Sequence, residues 1–289
     1  MITLISDRGS LTAALKPYRL NSKKIALVPT MGNLHDGHLS LVNLAAKEAD
    51  CIVVSLFVNP TQFGPNEDFA RYPRTLEEDI KKLATTETTF VFVPSIEEMY
   101  PFGLDLPARV SVPYLSHILC GAFRPGHFDG VATIITILFN LVQPNIAIFG
   151  LKDYQQLTVI NTLVSTLGFD IKIISAPTLR EKNGLAMSSR NQYLTEKEKD
   201  TAGTIFSLLN ETAQLIQSGH LNLSHETLSR HEKLRGEQLL SNGFKPDYFE
   251  VRSQNLSMPQ PSDRHLVALV AAYLGKTRLI DNLSFSLQI

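Results

Sequence analysis

Cysteine is scarce: the 289 residues hold two, Cys51 and Cys120, both in apolar surroundings and without a C-x-x-C pair. That excludes a disulfide framework, fits a reducing compartment and reads both as packing residues. No apolar stretch approaches the ~20 residues of a membrane-spanning helix; the longest, such as Val131–Val142, falls well short. No block of Lys and Arg occurs, and the formal net charge is −1, so the electrostatic footprint of a nucleic-acid binder is missing. The start, Met1 to Arg8, meets acid and base too early for the apolar centre of a signal peptide. These absences lead us to expect a cytoplasmic protein with neither membrane nor nucleic-acid partners. Internal repeats and low-complexity segments are also lacking.

What is present is an ordinary globular composition, 44% hydrophobic and 19% charged, in a chain somewhat longer than one typical domain. Ile25–Val28 is a short apolar run that ends at Pro29 and opens into a glycine-containing loop, as a buried parallel strand does. A helix with Leu39, Val42, Ala46 and Ala49 on one face follows, and Ile52–Val58 is a second strand. The alternation continues with a helix at about Leu76–Ala84, a strand at Phe90–Val93, a helix at Val131–Val142 and a strand at Ile146–Phe149. A helix carrying Leu157, Ile160, Val164 and Leu167 and a strand at Ile171–Ser175 close the series. The pattern predicts an α/β fold, a Rossmann-like parallel sheet with helices on both faces, whose ligands bind beyond the carboxyl ends of the strands. After Pro177 a polar loop runs to Asn191, followed by helices at Glu196–Ser218 and His225–Ser241 and strands at Tyr248–Arg252, Leu266–Tyr273 and Thr277–Ile280. We therefore expect a larger domain over residues 1–178 and a smaller C-terminal α+β domain, a lid, over 179–289.

Three segments carry chemistry. His35-x-x-His38 lies between a strand and a helix, with Gly32 and Gly37 letting the backbone approach a ligand. Zinc would need further ligands at metal-site spacing, and none is nearby. Two imidazoles at a helix start, beside unpaired N–H groups and the positive dipole end, are instead suited to phosphate oxygens whose charge grows during attack. Gly150-Leu151-Lys152-Asp153 again joins a strand to a helix, where Lys152 can neutralise phosphate and Asp153 can cap the helix or touch a ribose hydroxyl. Met187-Ser188-Ser189-Arg190 adds two hydroxyls and a guanidinium in the loop at the domain boundary. Amides in Asn59-Pro60-Thr61-Gln62 and at Gln156 suit recognition of a small polar substrate.

Together these segments resemble the pantothenate synthetase (pantoate–β-alanine ligase) family. The resemblance rests on Pro29-Thr30-Met31-Gly32 with His35-Asp36-Gly37-His38, Phe57–Phe63, Tyr72-Pro73-Arg74-Thr75, Arg124-Pro125-Gly126-His127-Phe128, Lys152–Gln156 and Met187–Arg190. The tail Thr277-Arg278-Leu279-Ile280-Asp281-Asn282 is similar too, so nearly the whole chain is covered.

The resemblance implies a nucleotidyltransferase-type sheet and a two-step reaction, in which ATP and pantoate form a pantoyl adenylate that β-alanine then attacks. It implies an ATP site made of Met31, Gly32, Asn33, Leu34, His35, Asp36, Gly37, His38, Gly150, Leu151, Lys152, Asp153, the backbone at Leu179, Met187, Ser188, Ser189 and Arg190. His38 is implied as the catalytic proton donor, with His35 as its partner and Lys152 as a third catalytic group. Gln62 and Gln156 would hold pantoate, Gln62 also lying near β-alanine. The family has a glutamate where Leu151 stands, so no side-chain role is expected of Leu151. Magnesium would come with ATP, bound mainly by phosphates, with Asp79 a candidate ligand; a homodimer is implied as well. Two other readings exist. One is a nucleotidyltransferase acting on a phosphorylated acceptor. The other is a tRNA-type module, which the nearly balanced charge of residues 191–289 disfavours.

Overall fold

The computed structural model describes residues 2–65 and 67–287; the outer limits of the two domains read from the sequence, Met1 and Ile289, lie outside them. The chain divides into one unit of Met1–Leu151 with Gln156–Pro177 and another of Lys152–Gln155 with Thr178–Ile289.

The first unit runs β1 (Thr3–Ile5), α1 (Arg8–Leu20), β2 (Ile25–Thr30), α2 (Asp36–Ala46), β3 (Cys51–Leu56), α3 (Leu76–Leu83) and β4 (Phe90–Phe92). It continues with α4 (Ile96–Met99), α5 (Cys120–Phe123), α6 (His127–Val142), β5 (Ile146–Gly150), α7 (Tyr154–Leu167, from Gln156 on) and β6 (Lys172–Ala176). Six parallel strands pair in the order β1-β4-β3-β2-β5-β6. β3 is buried along its whole length, as expected of a strand covered on both faces. The pleat shows how that cover is divided. Ala26, Val28, Ile52, Val54 and Val91 cluster with Leu41, Val42 and Ala45 of α2. Phe90 points the other way, edge-on to Tyr18 of α1 at 5.9 Å, and α6 packs against α1. Helices therefore lie on both faces, and each fully buried Leu or Val contributes about 1.5–3 kcal/mol.

The strand order reverses between β2 and β5, the position where sheets of this kind open a crevice beyond their carboxyl ends. β2 and β5 align only at Ala26↔Ile146 and Leu27↔Ala147, whereas β2 and β3 align from Ile25↔Cys51 to Thr30↔Leu56. The end of β2 thus runs on toward the histidine loop without β5 beside it.

The second unit contains α8 (Glu196–Ala202), α9 (Thr204–Gln217), α10 (His225–Ser241) and an antiparallel sheet of β7 (Phe244–Ser253), β8 (His265–Leu274) and β9 (Thr277–Ser286). α9 and α10 pack on this sheet over a core that includes Leu209, Leu239, Val251, Ala268 and Val270. Leu274 pairs with Thr277, so Gly275-Lys276 is a two-residue hairpin turn, and Gly275 has φ +57° where such a turn needs a positive value.

Some boundaries differ from the sequence reading. The helix expected over Glu196–Ser218 is two helices that meet at Gly203, where the chain passes so close to Asn183 that a Cβ would stand 2.5 Å from its carbonyl oxygen. β7 and β9 are ten residues each, longer than expected, since main-chain pairing continues through polar positions such as Lys245 and Asn282.

Candidate active site

The loop from β2 to α2 is held from below by α3. Gly32 and Asn33 both take left-handed backbone, with φ of +80° and +49°. Asp79, 1% exposed, accepts the Asn33 N–H on Oδ2 at 2.8 Å and the Leu34 N–H on Oδ1 at 2.7 Å. Lys82 Nζ donates to the Leu34 carbonyl at 2.6 Å. Thr30 Oγ1 accepts the Gly32 N–H and donates to the Ser55 carbonyl, which ties the loop to β3. Hydrogen bonds to a charged partner contribute about 1.5–3 kcal/mol each, so the loop is clamped before any ligand arrives. The Leu34 side chain is buried in the sheet core.

The two histidines cap α2 reciprocally. His35 Nδ1 accepts the Gly37 N–H at 3.1 Å, and His38 Nδ1 accepts the His35 N–H at 3.3 Å. Their rings lie 4.1 Å apart between centroids. A neutral imidazole whose Nδ1 accepts carries its proton on Nε2. The cap therefore fixes the tautomer of both rings and gives each an Nε2–H donor at the positive end of the helix dipole.

The turn after β3 is built around Asn59, 1% exposed. Its Oδ1 accepts from the Tyr100 hydroxyl at 2.6 Å and from the Thr61 hydroxyl and N–H, while its Nδ2 donates to Gln62 Oε1 at 3.1 Å and to the Gly130 carbonyl. Burial pushes the Tyr100 phenol up to about 12, so it stays a donor at neutral pH. Gln62 Nε2 faces Met31 Sδ at 3.2 Å. Arg124 grips Glu67 through Nε and Nη2, both at 2.6 Å. Burial raises the Glu67 carboxyl, but Arg124 outweighs it and the net shift is downward, so the pair is charged. A cavity of about 320 Å³ lies beyond the ends of β3 and β4, lined by Met31, Gly32, Phe57, Val58, Thr75 and Val93 among others.

In the second unit, Lys152 and Asp153 are half-buried in a 3-10 turn. The Lys152 carbonyl accepts from Asn282 Nδ2 at 2.8 Å, and the Tyr154 hydroxyl donates to the Gln254 carbonyl. The polar loop that runs from Pro177 to Asn191 contains a small hairpin in which the Met187 N–H donates to the Leu179 carbonyl and Arg180 bridges Ala186. Arg180 makes two hydrogen bonds to Asp281, at 2.5 and 3.0 Å, and its guanidinium lies 3.8 Å from the centre of the Phe206 ring. Ser188 Oγ caps the Arg190 N–H, starting a 3-10 turn that contains Ser189.

The structure thus brings Met31, Asn59 and Gln62 together beside the His35–His38 loop of the first unit, and Leu179 beside Met187 in the second. Gln156, in the first unit, is half-buried near the start of α7, while Gly150 ends β5 and Leu151 opens the 3-10 turn that follows. Asp79, the candidate magnesium ligand, has each oxygen occupied by a main-chain N–H, and among the described residues no group of three or more His, Cys, Asp or Glu could hold a metal. Glu67 and Tyr100 escaped the sequence reading altogether; Asp281 and Asn282 appeared there only as part of a familiar-looking tail.

Comparison with known proteins bears on this site. A family profile described as pantoate-beta-alanine ligase matches residues 3–284. A pantothenate synthetase of Azotobacter vinelandii is 50% identical over 98% of this chain and 99% of its own. One from Marinobacter nauticus is 51% identical over 96% of each. The crystal structure of the Thermus thermophilus pantothenate synthetase superimposes with a TM-score of 0.88 at 40% identity, covering 98% of this chain and 99% of its own. A Francisella tularensis pantoate-beta-alanine ligase, solved with beta-gamma ATP and beta-alanine, gives 0.79 at 34% identity over 98% and 97%.

Proposed function

The chain belongs to the pantoate–β-alanine ligase family, and on that premise we propose that it joins pantoate to β-alanine through a pantoyl adenylate. A pantoate carboxylate oxygen attacks the α-phosphorus of ATP and pyrophosphate leaves. The β-alanine amine then attacks the acyl carbon and loses its proton, and AMP departs with one former pantoate oxygen. The reciprocal cap of His35 and His38 carries this reading. Attack brings two anions together, and fixed Nε2–H donors at a helix start meet the charge that gathers on the phosphate oxygens without reorganising.

We assign Met31 to His38 of the first unit to ATP, Leu34 through the seating of the loop, together with Gly150 and Leu151. Lys152, Asp153, the Leu179 backbone and Met187 to Arg190 of the second unit we assign to nucleotide binding. Lys152 offsets phosphate charge. Gln62 and Gln156 hold pantoate, Gln62 also serving β-alanine. Asp79 does not fit magnesium, since its oxygens already hold the loop; the ion accompanies ATP on the phosphates, and no step here depends on a protein-held metal. We expect the protein to act in the cytoplasm as a homodimer, which light scattering in solution would test.

Pantoate labelled with ¹⁸O in its carboxylate tests the intermediate. With ATP and β-alanine, one label should appear in AMP. Label in inorganic phosphate alongside ADP would mean an acyl phosphate and overturn the adenylate.

A further inference from the structure

Adenylation chemistry leaves unexplained a row of partly buried polar groups in the first unit that ends on the main chain of Gln62. Glu67 anchors the row by holding Arg124 in two hydrogen bonds. Arg124 Nη1 stands 3.0 Å from His127 Nε2, and His127 Nδ1 stands 2.8 Å from the Gln62 carbonyl oxygen. A guanidinium can only donate and a carbonyl can only accept, so the His127 ring carries its proton on Nδ1 and accepts on Nε2. The row has one direction, from Arg124 through His127 into Gln62, and Arg124 Nη2 reaches the same carbonyl at 3.4 Å.

The opposite side of Gln62 is held as firmly. Asn59 donates to its side-chain oxygen, and helix α6 lies against the turn at Gly130, where a Cβ would stand 2.3 Å from the Thr61 carbonyl oxygen and 2.7 Å from the Gln62 nitrogen. His127 begins that same helix. Helix, imidazole and ion pair therefore fix the position of one amide-bearing residue. A stability role alone would not need an imidazole of defined tautomer aimed at this carbonyl.

We propose that Glu67, Arg124 and His127 are positioning residues for Gln62, setting where its amide points and hence how tightly the hydroxy-acid substrate is held. The proposal rests on the reading that Gln62 contacts pantoate.

Steady-state kinetics of the full chain, with ATP, pantoate and β-alanine varied in turn, test it in His127→Ala, His127→Asn, His127→Gln, Gln62→Ala and the double variant Gln62→Ala/His127→Ala. Loss of the hydrogen bond in His127→Ala should raise the pantoate KM about tenfold, with the ATP KM and the melting temperature little changed. Asparagine places an amide nitrogen where Nδ1 stands and should restore most of the affinity; glutamine reaches past it and should not. In the Gln62→Ala background, removing His127 should add nothing further. Additive losses in the double variant overturn the proposal. So does a rise in the ATP KM as large as that in the pantoate KM, or equal behaviour of the asparagine and glutamine variants. An unchanged pantoate KM in Gln62→Ala alone sinks the pantoate assignment itself, a failure distinct from the others because it needs no change at His127.

Discussion

The two units bury polar groups to different ends. In the first, Asp79, Lys82 and His127 are directed at main-chain groups of the segments that follow β2 and β3. In the second, side chains pair chiefly with each other: Arg180 with Asp281, and Arg235 with Glu211 and His231. A side chain that holds a loop's backbone leaves the sheet intact if it is lost, but it frees the loop. A side chain whose partner is another buried charge strands that partner if it is lost. Substitutions in the first unit should therefore register in catalysis, and those in the second in stability.

Asp281→Ala should give the largest effect. It leaves the partly buried Arg180 without its carboxylate, and breaking a buried pair costs up to about 3–5 kcal/mol. Urea unfolding would measure it; a stability change near zero would erase the contrast between the units. His38→Ala should come next, lowering adenylate formation by about 10²–10³ as expected for a lost transition-state donor. Its melting curve should stay close to that of the parent. A melting point that falls in step with the rate would make His38 a structural residue like those of the second unit.

The smallest effect is one of pH. Burial, aided by the charge of Arg235, pushes His231 down to about 4 from an ordinary 6.5. As pH falls, the unfolded chain takes up this proton first, so the contribution to stability is complete above about 6.5 and declines toward 4, by at most one proton in slope. His231→Gln should flatten that acid limb in melting temperatures taken from pH 7 to 4. An unchanged limb would mean that the imidazole is not shielded in the second unit's interior.

How much of this was legible in the sequence follows from how far apart the partners lie. His35 and His38, Gly32 and Gly37, and the strand and helix around them are contiguous, and apolar runs broken by Pro29 and glycine announce them. The sheet was readable for the same reason, except at its edge. β1 has three residues of which only Ile5 is buried, and so short a strand has no period to detect. Glu67 meets Arg124 across 57 residues, Tyr100 meets Asn59 across 41, and Asp281 meets Arg180 across 101. No spacing rule links such pairs, since only the folded chain brings them together. The close pass of Gly203 to the Asn183 carbonyl was hidden likewise, because the two lie in different segments.

Gly130 constrains how this chain can diverge. The seat of the turn after β3 depends on a missing atom, and every alternative residue supplies at least that atom. Sequence drift at this position cannot proceed by small steps, because even alanine forces helix and turn apart. Lineages that keep the reaction should keep this glycine, and a relative that has lost it should show a shifted helix start and an altered choice of acid.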